Sequence, residues 1–316
     1  MALDQATTAL LTQLAESGTK PLHEMTPAEA RGLTAALGEM YGPGPDMHRV
    51  SAETAPAPGG HDVPLQVLVP VEQPRGVLVY YHGGGWVIGA LPEFETLGRQ
   101  LAERTGCTVV LVDYRMAPEH TYPAAADDAW TALQWAADHR ADLASADAPL
   151  MVGGDSAGGN LAAVVAQKAR DAGGPALALQ LLVYPVTDSD LDNKSYLDPA
   201  NQLMLTRESM AWFWDLYAPD HAVRSRPDAS PARATDLSGL APAVVLTAEH
   251  DVLRQEGEEY ATALRNAGVP VEHRQFDGQM HGFFTMVNVL PGSAAGIDYA
   301  VAQIEAQLGR DTAARS

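Results

Sequence analysis

From about residue 62 onward the chain alternates short β-rich runs with stretches of helical spacing, and few architectures accommodate that rhythm. The runs fall at residues 63–69, 76–81, 108–112, 150–153, 177–184, 244–247 and 271–275, with helical patterns at 91–104, 124–139, 157–170, 254–267 and 296–308. Strands separated by helices pair in parallel, and the helices then cover both faces of the sheet. Several runs are apolar throughout, as strands buried on both faces must be. The fold class expected is α/β, a mostly parallel central sheet flanked by helices. At 316 residues and 46% hydrophobic content, the chain has ample material for one large domain of this kind with a small appendage.

Two segments fall outside the alternation. At the N-terminus, Leu3, Leu10 and Leu14 suggest one amphipathic helix. Thr26-Pro27-Ala28-Glu29 then reads as a capping box with proline at the first helical position, opening a second helix striped by Leu33, Leu37 and Met40. The other segment is the polar stretch 188–204, followed by a helix starting near Thr206 that stacks Met210, Phe213, Trp214 and Tyr217 on one face. Such stripes serve as ordinary core packing or as a lid over a site.

The charge balance narrows the partners. With 40 acidic against 20 basic side chains and a net charge of −20, the field repels nucleic-acid phosphates and anionic headgroups. No apolar stretch is long enough for a membrane span, and the first residues, Met-Ala-Leu-Asp-Gln-Ala, lack the pattern of a secretory signal, so a cytoplasmic location is expected. Cys107 is the only cysteine, which rules out an intrachain disulfide and a thiolate zinc cluster; it reads as a small buried residue in a strand.

The chemistry concentrates in two glycine-rich runs. Gly153-Gly154-Asp155-Ser156-Ala157-Gly158-Gly159-Asn160 follows an apolar strand and opens a helix. That placement exposes a serine hydroxyl on a tight turn and aims a helix N-terminus at any anion forming beside it. Seventy residues earlier, His82-Gly83-Gly84-Gly85-Trp86 offers further backbone amides that no Cβ obstructs. A serine needs a base, and His250, His273 and His281 are the histidines late enough in the chain. His273 sits inside a strand, whereas His281 follows one and is the better base. Asp251, at the end of another strand, is a better acid than Asp277, which stands close to His281 in sequence.

As a set, these runs resemble the hormone-sensitive lipase family of α/β-hydrolase esterases, in its Gly-Asp-Ser-Ala-Gly branch. The resemblance spans almost the whole chain and includes Asp113-Tyr114-Arg115-Met116-Ala117-Pro118-Glu119-His120, Tyr184-Pro185-Val186-Thr187-Asp188, Asp251-Val252-Leu253-Arg254-Gln255-Glu256-Gly257 and His281-Gly282-Phe283. Val252 and Gln255 stand where the family usually has proline and aspartate, and neither replaces a reacting group. The resemblance implies an α/β-hydrolase fold with a helical cap. Ser156 would be the nucleophile, His281 the general base and acid, and Asp251 the group orienting the imidazole, with Gly83, Gly84 and Ala157 supplying the oxyanion hole. It assigns His82 to holding the glycine loop. Arg115 and Glu119 read as a buried ion pair bracing their loop, and Asp155 as local support.

The expected organisation is therefore a cap from residues 1–45 and 188–225, and a catalytic domain from 46–187 and 226–316. Trp86, Phe213, Trp214 and Tyr217 are candidates for the substrate pocket, with plain packing the alternative for Trp86. The activity expected is hydrolysis of short- to medium-chain acyl esters, with no metal or organic cofactor. Amide hydrolysis by the same triad is one alternative; a non-catalytic ligand receptor on this fold is another, disfavoured because His281 is present. A homodimer is an implication of the resemblance alone.

Overall fold

Eight strands form one sheet in the order β1-β2-β4-β3-β5-β6-β7-β8, in a computed structural model that describes residues 2–315 and the side chains up to residue 310. Met1 and Ser316, the outer ends of the first and last expected segments, lie outside the described residues. The strands are β1 (Arg49–Pro56), β2 (Asp62–Val69), β3 (Val77–Tyr81), β4 (Thr108–Val112), β5 (Leu150–Asp155), β6 (Leu179–Val183), β7 (Ala243–His250) and β8 (Val271–Met280). From β4 to β8 every neighbouring pair is parallel; β1 and β2 extend the sheet antiparallel. The helices in chain order are α1 (Gln5–Glu16), α2 (Pro27–Gly38), α3 (Leu91–Thr105), α4 (Ala124–Asp138), α5 (Arg140–Leu143) and α6 (Ala157–Asp171). After them come α7 (Lys194–Leu197), α8 (Arg207–Tyr217), α9 (His221–Arg224), α10 (Arg254–Asn266) and α11 (Pro291–Arg315).

The period-two geometry of a strand explains why the central runs are apolar at every position. On β3, Val77, Val79 and Tyr81 belong to a core shared with Leu133 of α4, Leu161 of α6 and Leu264 of α10. Leu78 and Tyr80, pointing the other way, pack with Leu97 and Leu101 of α3 and Ile304 of α11. Neither face of the strand meets water, so neither can carry a charge.

Two strands differ from expectation. β1 lacks the apolar signal because it is an edge strand with only Ala55 buried, and it ends at Pro56. β8 runs to Met280, five residues past the 271–275 run that marks it in the sequence. Gly278 takes a φ of +71°, its N–H donates to Glu249 Oε2 at 2.7 Å, and its carbonyl accepts from Asp4 N at 3.1 Å. Those partners, remote in sequence, keep the chain in the sheet across an irregular register between Ala248 and His250. The strand then delivers His281 directly to the sheet edge.

The N-terminal capping box forms as the residues require: Thr26 Oγ1 accepts from Glu29 N at 3.2 Å, and Glu29 Oε2 accepts from Thr26 N at 2.8 Å. No helix among the described residues is long and apolar enough to cross a membrane.

Candidate active site

Ser156 occupies the turn between β5 and α6 with φ 54° and ψ −117°, a conformation that costs a residue with a Cβ and persists only where the surroundings enforce it. Those surroundings are close-packed backbone. A Cβ on Gly158 would lie 1.9 Å from Tyr81 O, and one on Gly154 would lie 2.4 Å from the Gly158 carbonyl group. Both positions therefore exclude every side chain, which is why the serine is bracketed by glycines. The Ser156 N–H donates to Val183 O at 2.8 Å and ties the turn to β6.

Three strand ends bring the reacting groups together at the C-terminal edge of the sheet. His281, after β8, approaches Ser156 Oγ through Nε2 at 3.1 Å and Asp251 Oδ2 through Nδ1 at 2.8 Å. The bond to a carboxylate assigns the proton to Nδ1, which leaves Nε2 as an acceptor for the serine hydroxyl. Asp251 is buried, and its other oxygen accepts from Leu253 N at 2.9 Å, so the carboxylate cannot turn away. The His281 ring also leans on Tyr184, with centroids 4.5 Å apart. Asp277 bonds Gln275, and His273 bonds Thr247 at 3.0 Å; neither joins the cluster.

The glycine loop after β3 departs from expectation at one residue. The Gly83 N–H donates to Asp155 Oδ1 at 3.0 Å, so it is not free to serve an oxyanion. Gly84 and Gly85, at φ 111° and 57°, have no hydrogen-bond partner for their amides among the described residues, and Ala157 as the first residue of α6 has none either. The open donors are thus Gly84, Gly85 and Ala157, and Gly83 is corrected to a structural role. Sequence alone cannot separate three consecutive glycines; the Asp155 carboxylate does.

That carboxylate is fully buried, accepts also from Tyr80 OH at 3.0 Å, and is pushed up to about 6 by burial, its hydrogen bonds opposing the shift. His82 Nδ1 donates to Gly83 O at 2.7 Å, and burial lowers the ring to about 4, so it is a neutral brace for the loop and no base. Arg115 and Glu119 do not pair with each other. Arg115 grips Asp128 of α4 with two bonds of 2.8 Å, and Glu119, more than half exposed, takes Arg31 of α2 at 2.7 and 2.8 Å. Each found a partner that no local spacing announces.

Above Ser156 lies a cavity of about 410 Å³. Its walls come from α1 and α2, through Leu14, Leu33 and Leu37, and from residues 203–213, through Met204, Met210 and Phe213. Of the four aromatic residues expected to line it, only Phe213 does. Trp86 stacks on Tyr217 with centroids 4.2 Å apart and meets Trp214 at a tilt at 4.8 Å, and all three are fully buried. Packed against one another, these rings bury a large area and brace α8 against the glycine loop. Among the described residues no group of three or more His, Cys, Asp or Glu side chains is placed to hold a metal ion.

Residues 78–285 match the model of a family described by its alpha/beta hydrolase fold. The chain belongs to this family. It is 41% identical over 267 residues to the carboxylesterase NlhH of Mycobacterium tuberculosis, covering 82% of this chain and 83% of that one. An ethyl acetate hydrolase of Pseudomonas putida is 32% identical over 309 residues, 94% of this hydrolase and 96% of the relative. Among solved structures, the esterase rPPE superposes with a TM-score of 0.91 at 39% identity, covering 97% of this chain and 98% of that one. An esterase from the archaeon Pyrobaculum calidifontis gives 0.88 at 36%, with 97% and 99% covered.

Proposed function

We propose that this hydrolase is a carboxylesterase acting on short- to medium-chain acyl esters. The observation that carries the reading is the unbroken relay from Ser156 Oγ through His281 to buried Asp251, at the floor of a largely apolar cavity. A volume of 410 Å³ falls within the range of about 300–1,000 Å³ usual for small-molecule sites.

In this reading Ser156 Oγ attacks the ester carbonyl as its proton passes to His281 Nε2. Asp251 stabilises the imidazolium and holds its orientation. The carbonyl oxygen becomes an anion only as the tetrahedral intermediate forms, and the amides of Gly84, Gly85 and Ala157 are preorganised to receive it. His281 then protonates the departing alcohol. Water, activated by the same nitrogen, releases the acid from Ser156. Residues 2–45 and 188–225 together form the cap over this floor, and their apolar walls hold the acyl chain.

A series of p-nitrophenyl esters from acetate to palmitate tests both parts. Turnover is expected to peak among the shorter chains, and Ser156→Ala should abolish both turnover and organophosphate labelling. Labelling that survives the substitution, or faster cleavage of a matched anilide than of the ester, would overturn the assignment.

A further inference from the structure

Four charged or ionisable side chains besides tyrosine line the cavity, and the mechanism accounts for all but one of the buried ones. His281 belongs to the relay, Asp155 is held by Tyr80 and Gly83, and Lys20 is exposed. Glu93 has no such task. It lies in the first turn of α3, half-buried, with its stem fixed against the end of α2: a Cβ on Gly38 would sit 3.0 Å from Glu93 Cγ.

We propose that Glu93 is a specificity-determining residue, the acceptor in the cavity wall for an ammonium group carried by the ester. This rests on the ester-hydrolase reading above. A carboxylate in the first turn complements the helix dipole, but an acid facing solvent would do that equally well. What the dipole leaves unexplained is a half-buried carboxyl in the wall of a largely apolar cavity; the one lysine there, Lys20, is exposed and is not among the described groups acting on that carboxyl. Its neighbours are Thr34 of α2 and the phenol of Tyr41, and no basic side chain contributes to its surroundings among the described residues. Burial raises the Glu93 carboxyl above its ordinary range, with Thr34 opposing the shift. Burial, followed by the charges of Glu93 and Asp155, pushes the Tyr41 phenol up to about 12, so Tyr41 stays a neutral hydroxyl and adds no second negative charge.

An alkyl chain laid along this wall leaves the carboxyl with its hydrogen bond to Thr34 and no counter-charge, whereas a protonated amine offsets part of the lost hydration and balances the charge. The chemistry favours an ammonium over a neutral hydroxyl because only the cation supplies the missing charge, and the net charge of −20 concentrates cations near the surface.

The test compares kcat/KM for p-nitrophenyl ω-aminohexanoate and p-nitrophenyl hexanoate, and for the hexanoate esters of ω-aminohexanol and hexanol, in the wild type, Glu93→Gln and Glu93→Leu. The amino-to-alkyl ratio should fall by about tenfold in Glu93→Gln in whichever series places its amine at this wall, the scale of one partly screened charge-assisted hydrogen bond. Glu93→Leu should in addition raise the rate on the alkyl ester. Should Glu93→Leu fail to fold, the nearly isosteric Glu93→Gln carries the comparison. Ratios unchanged in both series, with normal Ser156-dependent turnover of p-nitrophenyl hexanoate, would overturn the role of Glu93 and leave the ester reading intact. A wild type inactive on every ester would sink the ester reading, and this inference with it.

Discussion

The floor of the cavity and its walls are built by different physics. The floor consists of strand ends and tight turns in which backbone meets backbone: Ser156 holds a strained conformation in a turn packed so closely that neither Gly154 nor Gly158 could carry a Cβ. The walls are helices whose side chains pack over the opening, joined to the floor by a few long-range polar ties such as Arg31 and the contact of Asp4 with Gln279 at 2.6 Å. A perturbed floor misplaces the groups that react, and a perturbed wall changes what is held beside them. Floor variants should therefore register mainly in kcat, wall variants mainly in KM.

Short of removing the nucleophile, the largest effect is expected from Gly84→Ala. A Cβ there would lie 2.1 Å from Ile88 O, at a φ of 111° that alanine resists, so the loop must shift and carry its amide away from the developing oxyanion. Loss of one such donor lowers kcat by about 10²–10³-fold. Single-turnover kinetics on p-nitrophenyl acetate, beside the unfolding midpoint, give the readout. A normal kcat in a folded Gly84→Ala protein would remove Gly84 from the oxyanion site and shift the floor's role to Gly85 and Ala157.

Asp155→Asn probes the floor from beneath. The folded protein holds this carboxyl at about 6, above its ordinary value of 3.8, so folding favours the protonated form. Its contribution is most favourable below the unfolded value and is lost as pH rises through about 6. The ionised group then costs about 3 kcal/mol above neutrality, at roughly 1.4 kcal/mol per unit. Asparagine can still accept from Gly83 and Tyr80 and has no such charge. Denaturant unfolding from pH 4.5 to 7.5 should show the variant gaining on the wild type as pH rises, and parallel curves would mean that Asp155 ionises without penalty.

The same contrast governs how much the sequence discloses. The alternation of apolar runs identifies the parallel strands β3 to β7, and short motifs single out Ser156, Asp251 and His281, because each depends on sterics within a few residues. Where the deciding contact is remote, local pattern misleads. Gly83 loses its expected role to Asp155, 72 residues away. Glu119 turns from Arg115 to Arg31, 88 residues away. The aromatic stripe of α8 marks a buried face correctly, yet three of the four expected pocket rings fill a stack and only Phe213 reaches the cavity. Periodicity reports that a face is covered and is silent on whether a protein core or a ligand covers it.

Arg31→Ala should give the smallest of these effects and bears directly on the wall. The guanidinium donates to Val87 O at 2.8 Å, to Ala117 O at 2.9 Å and to both oxygens of Glu119, joining α2 to the segments that follow the glycine loop. Glu119 is more than half exposed, so its ion pair contributes little once solvent screens it. The two carbonyl bonds carry the tie, and their loss costs about 1–2 kcal/mol of stability. Because the reacting atoms do not move, KM for a hexanoate ester should rise several-fold while kcat changes less. Glu119→Gln, which leaves the carbonyl bonds in place, should change KM less than Arg31→Ala does. Equal effects from the two substitutions would place the tie in the ion pair, and a fall confined to kcat in Arg31→Ala would show that the wall and the floor are one mechanical unit.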